Sequence, residues 1–349
     1  MDFDHYGKQA SPVPGCAWML RFDEEGRAEP GEEQDLAKLG APGEGFVWLH
    51  VDLNDSRSSG LLARLAALPE EVRKILSEPV DRQFIDHSGD IVRGAFFDRE
   101  RGAPGGPPQI GFLRFAFGER FLASASHRPI DAAEATKAAL THGRLASTPL
   151  ELFEAMVGHI CDELGKIIYE LSSTLDGIEE RIVADGKGES ERATLGSVRR
   201  AALRLAREAA GLRSPLLRLE ATLYDPELEE LKEAGARLAR RADILVHDLA
   251  EVQDRARLLQ DELNAIASLV TNDRLYILTM VTTLLLPATF VTGFFGMNTK
   301  ALPFAEAAHG TAYAAALCVT ASLVTLFFMR RIGLTRPRAE PRQKRPRQG

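Results

Sequence analysis

Three cysteines are all that the 349-residue sequence contains, Cys16, Cys161 and Cys318. Odd in number and widely spaced, they make neither a disulfide framework nor a paired-cysteine zinc knuckle, and a reducing compartment suits them. No Gly-rich phosphate loop of the P-loop or dinucleotide kind occurs, and no local spacing assembles a nucleophile with a nearby base. His50 and Asp52 alternate with Trp48 on one face of an expected strand, while His87 and His127 fall in polar stretches. Isolated histidines of this kind are more often structural than catalytic, so neither an enzyme nor a bound cofactor is expected. No apolar segment with a cleavage site opens the chain, which argues against a signal peptide. The last absence is of charge: Leu275 to Phe295 holds no ionisable Asp, Glu, Lys or Arg.

At about 1.5 Å per residue that run makes roughly 31 Å of helix, enough to cross a bilayer core of about 30 Å. A short loop from Thr299 to His309 follows, then a second uncharged run from Gly310 to Met329. The lipid bilayer is therefore an expected partner. The first span carries a pattern that a plain anchor does not need. Counting back from Thr289 by alternating threes and fours gives Thr289, Leu286, Thr282, Thr279, Leu275, Asn272, Ser268, Ala265 and Asp261, the 3.5-residue seam of a coiled coil. Most of these are small or polar, and Leu258, Leu263, Ile266, Leu269 and Val270 occupy other faces. Such a seam lets water or an ion touch hydroxyl and amide oxygens; the alternative is that Ser and Thr sit there for close helix packing. No carboxylate or histidine lies inside the span, which disfavours a proton relay through it.

The net charge of -7 hides an asymmetry. From Arg330 onward lie eight of the 43 Lys and Arg and one of the 50 Asp and Glu, so the remaining 35 basic and 49 acidic residues give 1–329 a charge of -14. An acidic body suits the gathering of cations and argues against nucleic acid, although solubility alone also favours acid. A basic tail directly after a span reads as a positive-inside determinant, with nucleic-acid binding as the lesser reading. Both termini are then expected on the cytoplasmic side of the cell (inner) membrane.

In chain order, 1–14 reads as loose. Apolar and aromatic runs at Cys16 to Phe22, Phe46 to Leu53, Asp90 to Phe97, Ile110 to Phe117 and Phe121 to Ser126 read as strands. Asn54 or Asp55 offers a cap for a helix over Leu61 to Leu68, Pro69 opens another, and Asp131 opens a third. The sum is a mixed α/β domain over 15–145. Helical periodicity then dominates: a long-helix pair over 150–224, broken at Asp185 to Gly188, interrupted at Ser214-Pro215 and stopped by Asp225-Pro226. A stalk helix over 225–298 runs on into the first span, on the order of 105 Å in all. On it, Asp243, His247 and Glu251 share a face at spacing four. Carboxylate and imidazole suit zinc, but a solvated, helix-stabilising face explains the spacing better. His159 and Glu163 form a similar pair with the same reading.

The run from Pro287 through Thr292, Gly293 and Phe294 to Gly296, Met297 and Asn298, followed by Leu302 and Pro303, resembles the signature of the two-span CorA-type metal ion transporters. With a span before it, a short loop and a second span after it, and long helices upstream, the resemblance covers the whole chain. Leu302-Pro303-Phe304 and the stretch from Ala307 to Gly310 are more similar to the ZntB zinc-transport branch than to the magnesium branch, whose loop typically carries Met-Pro-Glu. The resemblance implies an α+β cytoplasmic domain, long helices and two C-terminal transmembrane helices in a homopentameric funnel, with the first spans around the axis. Asn298 would then recur as a ring of amide oxygens at the mouth, beside Gly296, which lets the helix end, and Met297, which is expected to pack. Thr289, Thr282, Thr279, Asn272 and Ser268 would line the conduit, Leu286 and Leu275 would constrict it, and Asp261 would ring the inner vestibule. In the loop, Lys300 and Glu306 cancel and His309 is the nearest imidazole. The transported ion is expected to be zinc, with magnesium or cobalt as the alternative. A membrane-anchored scaffold or signalling protein is a remoter reading, and a hydrolase on an anchor lacks a catalytic cluster.

Overall fold

The computed structural model describes residues 13–39, 43–65, 68–100, 109–185, 191–222, 229–297 and 309–332. It divides into two compact units, Met1–Asp261 and Glu262–Gly349. In the first, strands β1 (Cys16–Phe22), β2 (Ala28–Pro30), β3 (Phe46–Asp52), β4 (Phe84–Ser88), β5 (Ile91–Glu100), β6 (Gln109–Gly118) and β7 (Phe121–Ser126) form one sheet in the order β2-β1-β3-β7-β6-β5-β4. Neighbours are antiparallel except β3 and β7, which pair in parallel from Val47↔Phe121 to Asp52↔Ser126. β3 is buried from Phe46 to Val51. A strand covered on both faces has no polar side to show, so it reads as a continuous apolar run rather than an alternation.

Helices α1 (Ser58–Arg64) and α2 (Glu70–Ser77) cover one face. There Leu61, Leu65, Val72 and Leu76 join Val47, Leu49, Ala116 and Ala123 in one apolar cluster, each large side chain stabilising by about 1.5–3 kcal/mol on burial. α3 (Asp131–Thr141) and α4 (Pro149–Asp185) serve the other face. Phe153 of α4 packs its ring 4.8 Å from Phe115 and 4.9 Å from Phe117, tilted by 46° and 33°, at the centroid separations of aromatic pairs in contact. α4 starts where its sequence says it should. Thr148 Oγ1 accepts the Glu151 N–H at 3.1 Å while Glu151 Oε2 accepts the Ser147 N–H at 2.7 Å, with Pro149 at the first helical position, a near relative of the capping box.

Two sequence expectations need correcting here. Asp55 does not cap the helix ahead of Leu61: its carboxylate accepts the Arg57 N–H at 2.9 Å and the Arg57 guanidinium at 2.6 Å, and α1 runs over Ser58–Arg64 without a side-chain cap. A charge-assisted pair two residues away outcompetes the helix terminus for both oxygens. Pro215 does not interrupt the second long helix either, because α5 continues over Glu191–Thr222 with Pro215 inside it. Leu212, Leu216 and Leu219 are all buried around that point, and their packing offsets the hydrogen bond that proline removes.

α6 (Glu229–Phe295) is a single helix of 67 residues that crosses the boundary between the units. In the first unit its buried positions include Leu231, Ala234, Leu238, Ala242, Leu245, Leu249, Val252, Ala256 and Leu259. These step by threes and fours, the spacing of a dry helix-packing seam. Ion pairs flank it on the α4 side: Arg237 with Glu154 at 2.9 Å, Arg241 with Asp162 at 2.6 Å and Arg255 with Asp176 at 2.6 Å. They are solvent-exposed, so they fix register more than they add stability.

Candidate functional site

The second unit holds the C-terminal part of α6 and α7 (Gly310–Arg331). Each helix contains a stretch long and apolar enough to cross a membrane, and only 6% of either stretch is buried. Leu285, Leu286 and Phe290 on α6 and Phe327 and Phe328 on α7 are among the large apolar side chains left exposed. So much contiguous apolar surface calls for lipid or further protein to cover it.

α7 lies on a defined side of α6. Its Ser322 hydroxyl donates to the Leu284 carbonyl at 3.4 Å, its Cys318 thiol approaches the Ala288 carbonyl at 3.8 Å, and Val291 is buried. At about 100° per residue these three α6 positions fall within roughly 60° of one another, and the seam from Ala265 to Thr289 centres roughly 180° away. Ser268, Asn272, Leu275, Thr279, Thr282, Leu286 and Thr289 are all exposed, as is Asp261 at the end of the first unit. The seam is thus brought onto one face and left clear of α7.

The hydroxyls on that face share one arrangement. Ser268 donates to Asn264 O at 2.8 Å, Thr279 to Leu275 O at 2.8 Å, Thr282 to Leu278 O at 2.8 Å and Thr289 to Leu285 O at 3.0 Å. A hydroxyl carries one donor and two acceptor lone pairs. With the proton turned back to the carbonyl four residues earlier, what faces outward is acceptor, the polarity that receives hydrogen bonds from water around a cation. Pro287, inside the helix, denies the Thr283 carbonyl its usual donor and leaves a second kind of acceptor near the middle of the span.

At the end of α6, the Gly296 N–H reaches Thr292 O at 2.9 Å and the Met297 N–H reaches Phe294 O at 3.4 Å. A Cβ on Gly296 would stand 3.1 Å from the Thr292 carbonyl oxygen. Glycine is therefore favoured by a close approach rather than by a left-handed turn. Met297, expected to pack, is 46% exposed in the single chain. Asn298, Lys300 and Glu306 lie outside the described residues. His309 is exposed immediately before α7, and its carbonyl accepts the Ala312 N–H at 3.0 Å.

The alternative sites suggested by spacing do not assemble. Among the described residues no group of three or more His, Cys, Asp and Glu side chains could hold a metal ion. Asp243 is paired with Arg213 at 2.7 Å, and His247 and Glu251 are exposed. Glu163 turns away from His159 to Arg99 at 2.8 Å and Lys166 at 3.2 Å. His50 is buried in a chain of hydrogen bonds that the sequence did not reveal. Trp48 Nε1 donates to Ser124 Oγ at 2.9 Å, and Ser124 Oγ lies 2.8 Å from His50 Nδ1. His50 Nε2 lies 3.2 Å from Ser126 Oγ, which donates to Arg128 O at 2.7 Å. The chain closes if the His50 proton sits on Nε2, so this serine and histidine are fully engaged with each other and with the fold. Burial holds His50 down to about 3 and keeps it neutral.

Residues 43–331 match the CorA-like Mg2+ transporter protein family. The zinc transport protein ZntB of Photorhabdus laumondii is 27% identical over 85% of this chain and 88% of its own. The solved full-length CmaX protein superposes with a TM-score of 0.76 at 24% identity, over 92% of this chain and 98% of its own. The CorA magnesium transporter of Methanocaldococcus jannaschii does so with a TM-score of 0.73 at 16% identity, over 90% of this chain and 98% of its own. Those two likenesses concern the fold, and the family match takes in the sheet, the long helices and both spans: the chain belongs to the CorA-like Mg2+ transporter protein family, a family of transporters rather than enzymes.

Proposed function

We propose that this divalent cation transporter carries zinc through a pore formed by five copies of the chain, the seam faces of their α6 helices surrounding a wet axis. The observation that carries the reading is the placement of Ser268, Thr279, Thr282 and Thr289 opposite the face that α7 covers, with their hydroxyl protons turned inward. One span cannot line a conduit, so the seam needs further copies. A ring of hydroxyl or amide acceptors holds a hydrated divalent cation through its water shell and avoids most of the dehydration penalty, which is severe for magnesium. Leu275 and Leu286, exposed on the same face, form apolar constrictions that gate by dewetting. Asn298 supplies the collar at the outer mouth and Asp261 a ring of carboxylates at the cytoplasmic end. Both termini lie in the cytoplasm, the basic tail after α7 setting that orientation.

Zinc is preferred over magnesium or cobalt because the loop sequence from Leu302 to Gly310 resembles the zinc branch, in line with the 27% identity to a zinc transport protein. Metal flux into proteoliposomes, with zinc, magnesium and cobalt side by side and a pH gradient present or absent, tests both levels. Zinc should move fastest, and Asn298→Ala should abolish flux while leaving the pentamer intact. No flux of any of the three by folded protein removes the transport reading; wild-type flux in Asn298→Ala removes the collar. The anchor reading makes the opposite forecast for the seam, that Thr282→Val and Thr289→Val together change nothing.

A further inference from the structure

Arg114 occupies the middle of β6 and is 4% exposed. A guanidinium keeps its charge at any physiological pH, and a buried charge without a counter-charge is strongly destabilising. Of its five N–H donors, the structure engages one: Nη1 donates to the Leu76 carbonyl, in the last turn of α2, at 3.2 Å. Nε is buried with no acceptor at all. The residues directly across the sheet are Ala95 on β5 and Ala125 on β7, so the neighbouring strands bring no carboxylate opposite it. Burial lowers its proton affinity and no nearby anion opposes that shift.

Arg114 lines a cleft of about 330 Å³ together with Glu100, Phe112, His127 and Arg128. Arg128 is tied to Glu100 at 3.3 Å. That pair neutralises itself, and the charge of Arg114 is left as the surplus in a cleft that His127 also lines. We propose that this cleft binds a small oxyanion, a phosphate or a carboxylate, whose oxygens pair with the Arg114 guanidinium. The planar fork of arginine matches two oxygens of either group. The plainer alternative is that Arg114 only caps α2. A helix C-terminus offers about half a negative charge and here accepts a single N–H, which leaves Nε unexplained. The site belongs to the sheet and does not depend on the transport reading.

The test is calorimetric titration of the full-length, detergent-solubilised protein with inorganic phosphate and with succinate, against chloride at matched ionic strength. One saturable site per chain for either oxyanion is expected. Arg114→Lys, which keeps the charge and loses the fork, should weaken binding by at least about tenfold, and Arg114→Met should eliminate it. Thermal unfolding supplies the second readout: the oxyanion should raise the melting temperature of the wild type and not of Arg114→Met. If Arg114→Met does not fold, Arg114→Lys alone decides. No saturable binding of either anion, or binding equally strong in Arg114→Lys, overturns the proposal.

Discussion

Thr282 and Asp98 show how differently one polar atom behaves on the two kinds of surface this chain presents. The Thr282 hydroxyl satisfies its own donor within the helix, so it can face lipid, protein or water without an unmet proton, and only its lone pairs remain to choose a neighbour. Asp98 is 6% exposed and lends Oδ2 to the Ala132 N–H at 2.8 Å and Oδ1 to the Arg99 N–H at 2.8 Å. Burial outweighs those two hydrogen bonds and raises its carboxyl to about 7. The sign follows directly. The folded state holds this proton more tightly than the unfolded one, so the contribution of Asp98 is complete below about 3.8 and is lost as pH rises through about 7, a loss on the order of 4 kcal/mol. His50 runs the other way: held down to about 3 against an ordinary 6.5, it contributes fully above 6.5 and loses that as pH falls. Asp98→Asn keeps an acceptor for the Ala132 N–H and removes the charge. Its melting temperature should match the wild type most closely below about pH 3.8 and exceed it by a margin that grows up to about pH 7; parallel profiles across that range would show that the carboxyl ionises without strain.

At the level of elements, α6 is one helix doing two things in succession. Up to Leu259 its buried face steps through leucine, valine and alanine within the first unit; from Asp261 onward the largely polar seam runs along an exposed face. Leu249 is wholly buried near the centre of the dry part. Leu249→Ala should lower stability by about 2–5 kcal/mol, seen as a fall in melting temperature, and an unchanged value would mean that this face is not packed as described. The polar seam was legible because Thr and Asn stand out in an apolar run. The dry seam was not, because Ala234, Ala242 and Ala256 are buried in it without looking like a core. Five of the seven strands could be read from their aromatic and β-branched runs. β2 has three residues and ends in Pro30, and β4 reads FIDHS; both lie at sheet edges, where no second buried face imposes an apolar pattern. The His50 network escaped notice because Ser124 and Ser126 lie 74 and 76 residues away in sequence, a separation no periodicity can bridge.

On the scale of the whole molecule, the second unit exposes apolar residues such as Val281 and Leu285 off the largely polar seam of the same helix, and the two sides need different surroundings. Lipid can cover Val281 and Leu285, exposed off the seam; it is a poor neighbour for Asn272, Thr279 and Thr282. Further copies enclosing water on that side satisfy both. The central claim is therefore that the seam faces an aqueous axis, and cysteine accessibility measures this most directly. Cys16 and Cys161 are buried, so a Cys318→Ala background leaves no thiol at the spans. On it, Thr282→Cys and Leu284→Cys are compared by zinc flux before and after a charged, membrane-impermeant thiol reagent. The account predicts that modification blocks flux through Thr282→Cys by at least about tenfold and leaves Leu284→Cys, on the α7 side, unchanged. An inert Thr282→Cys, or a block confined to Leu284→Cys, would contradict it.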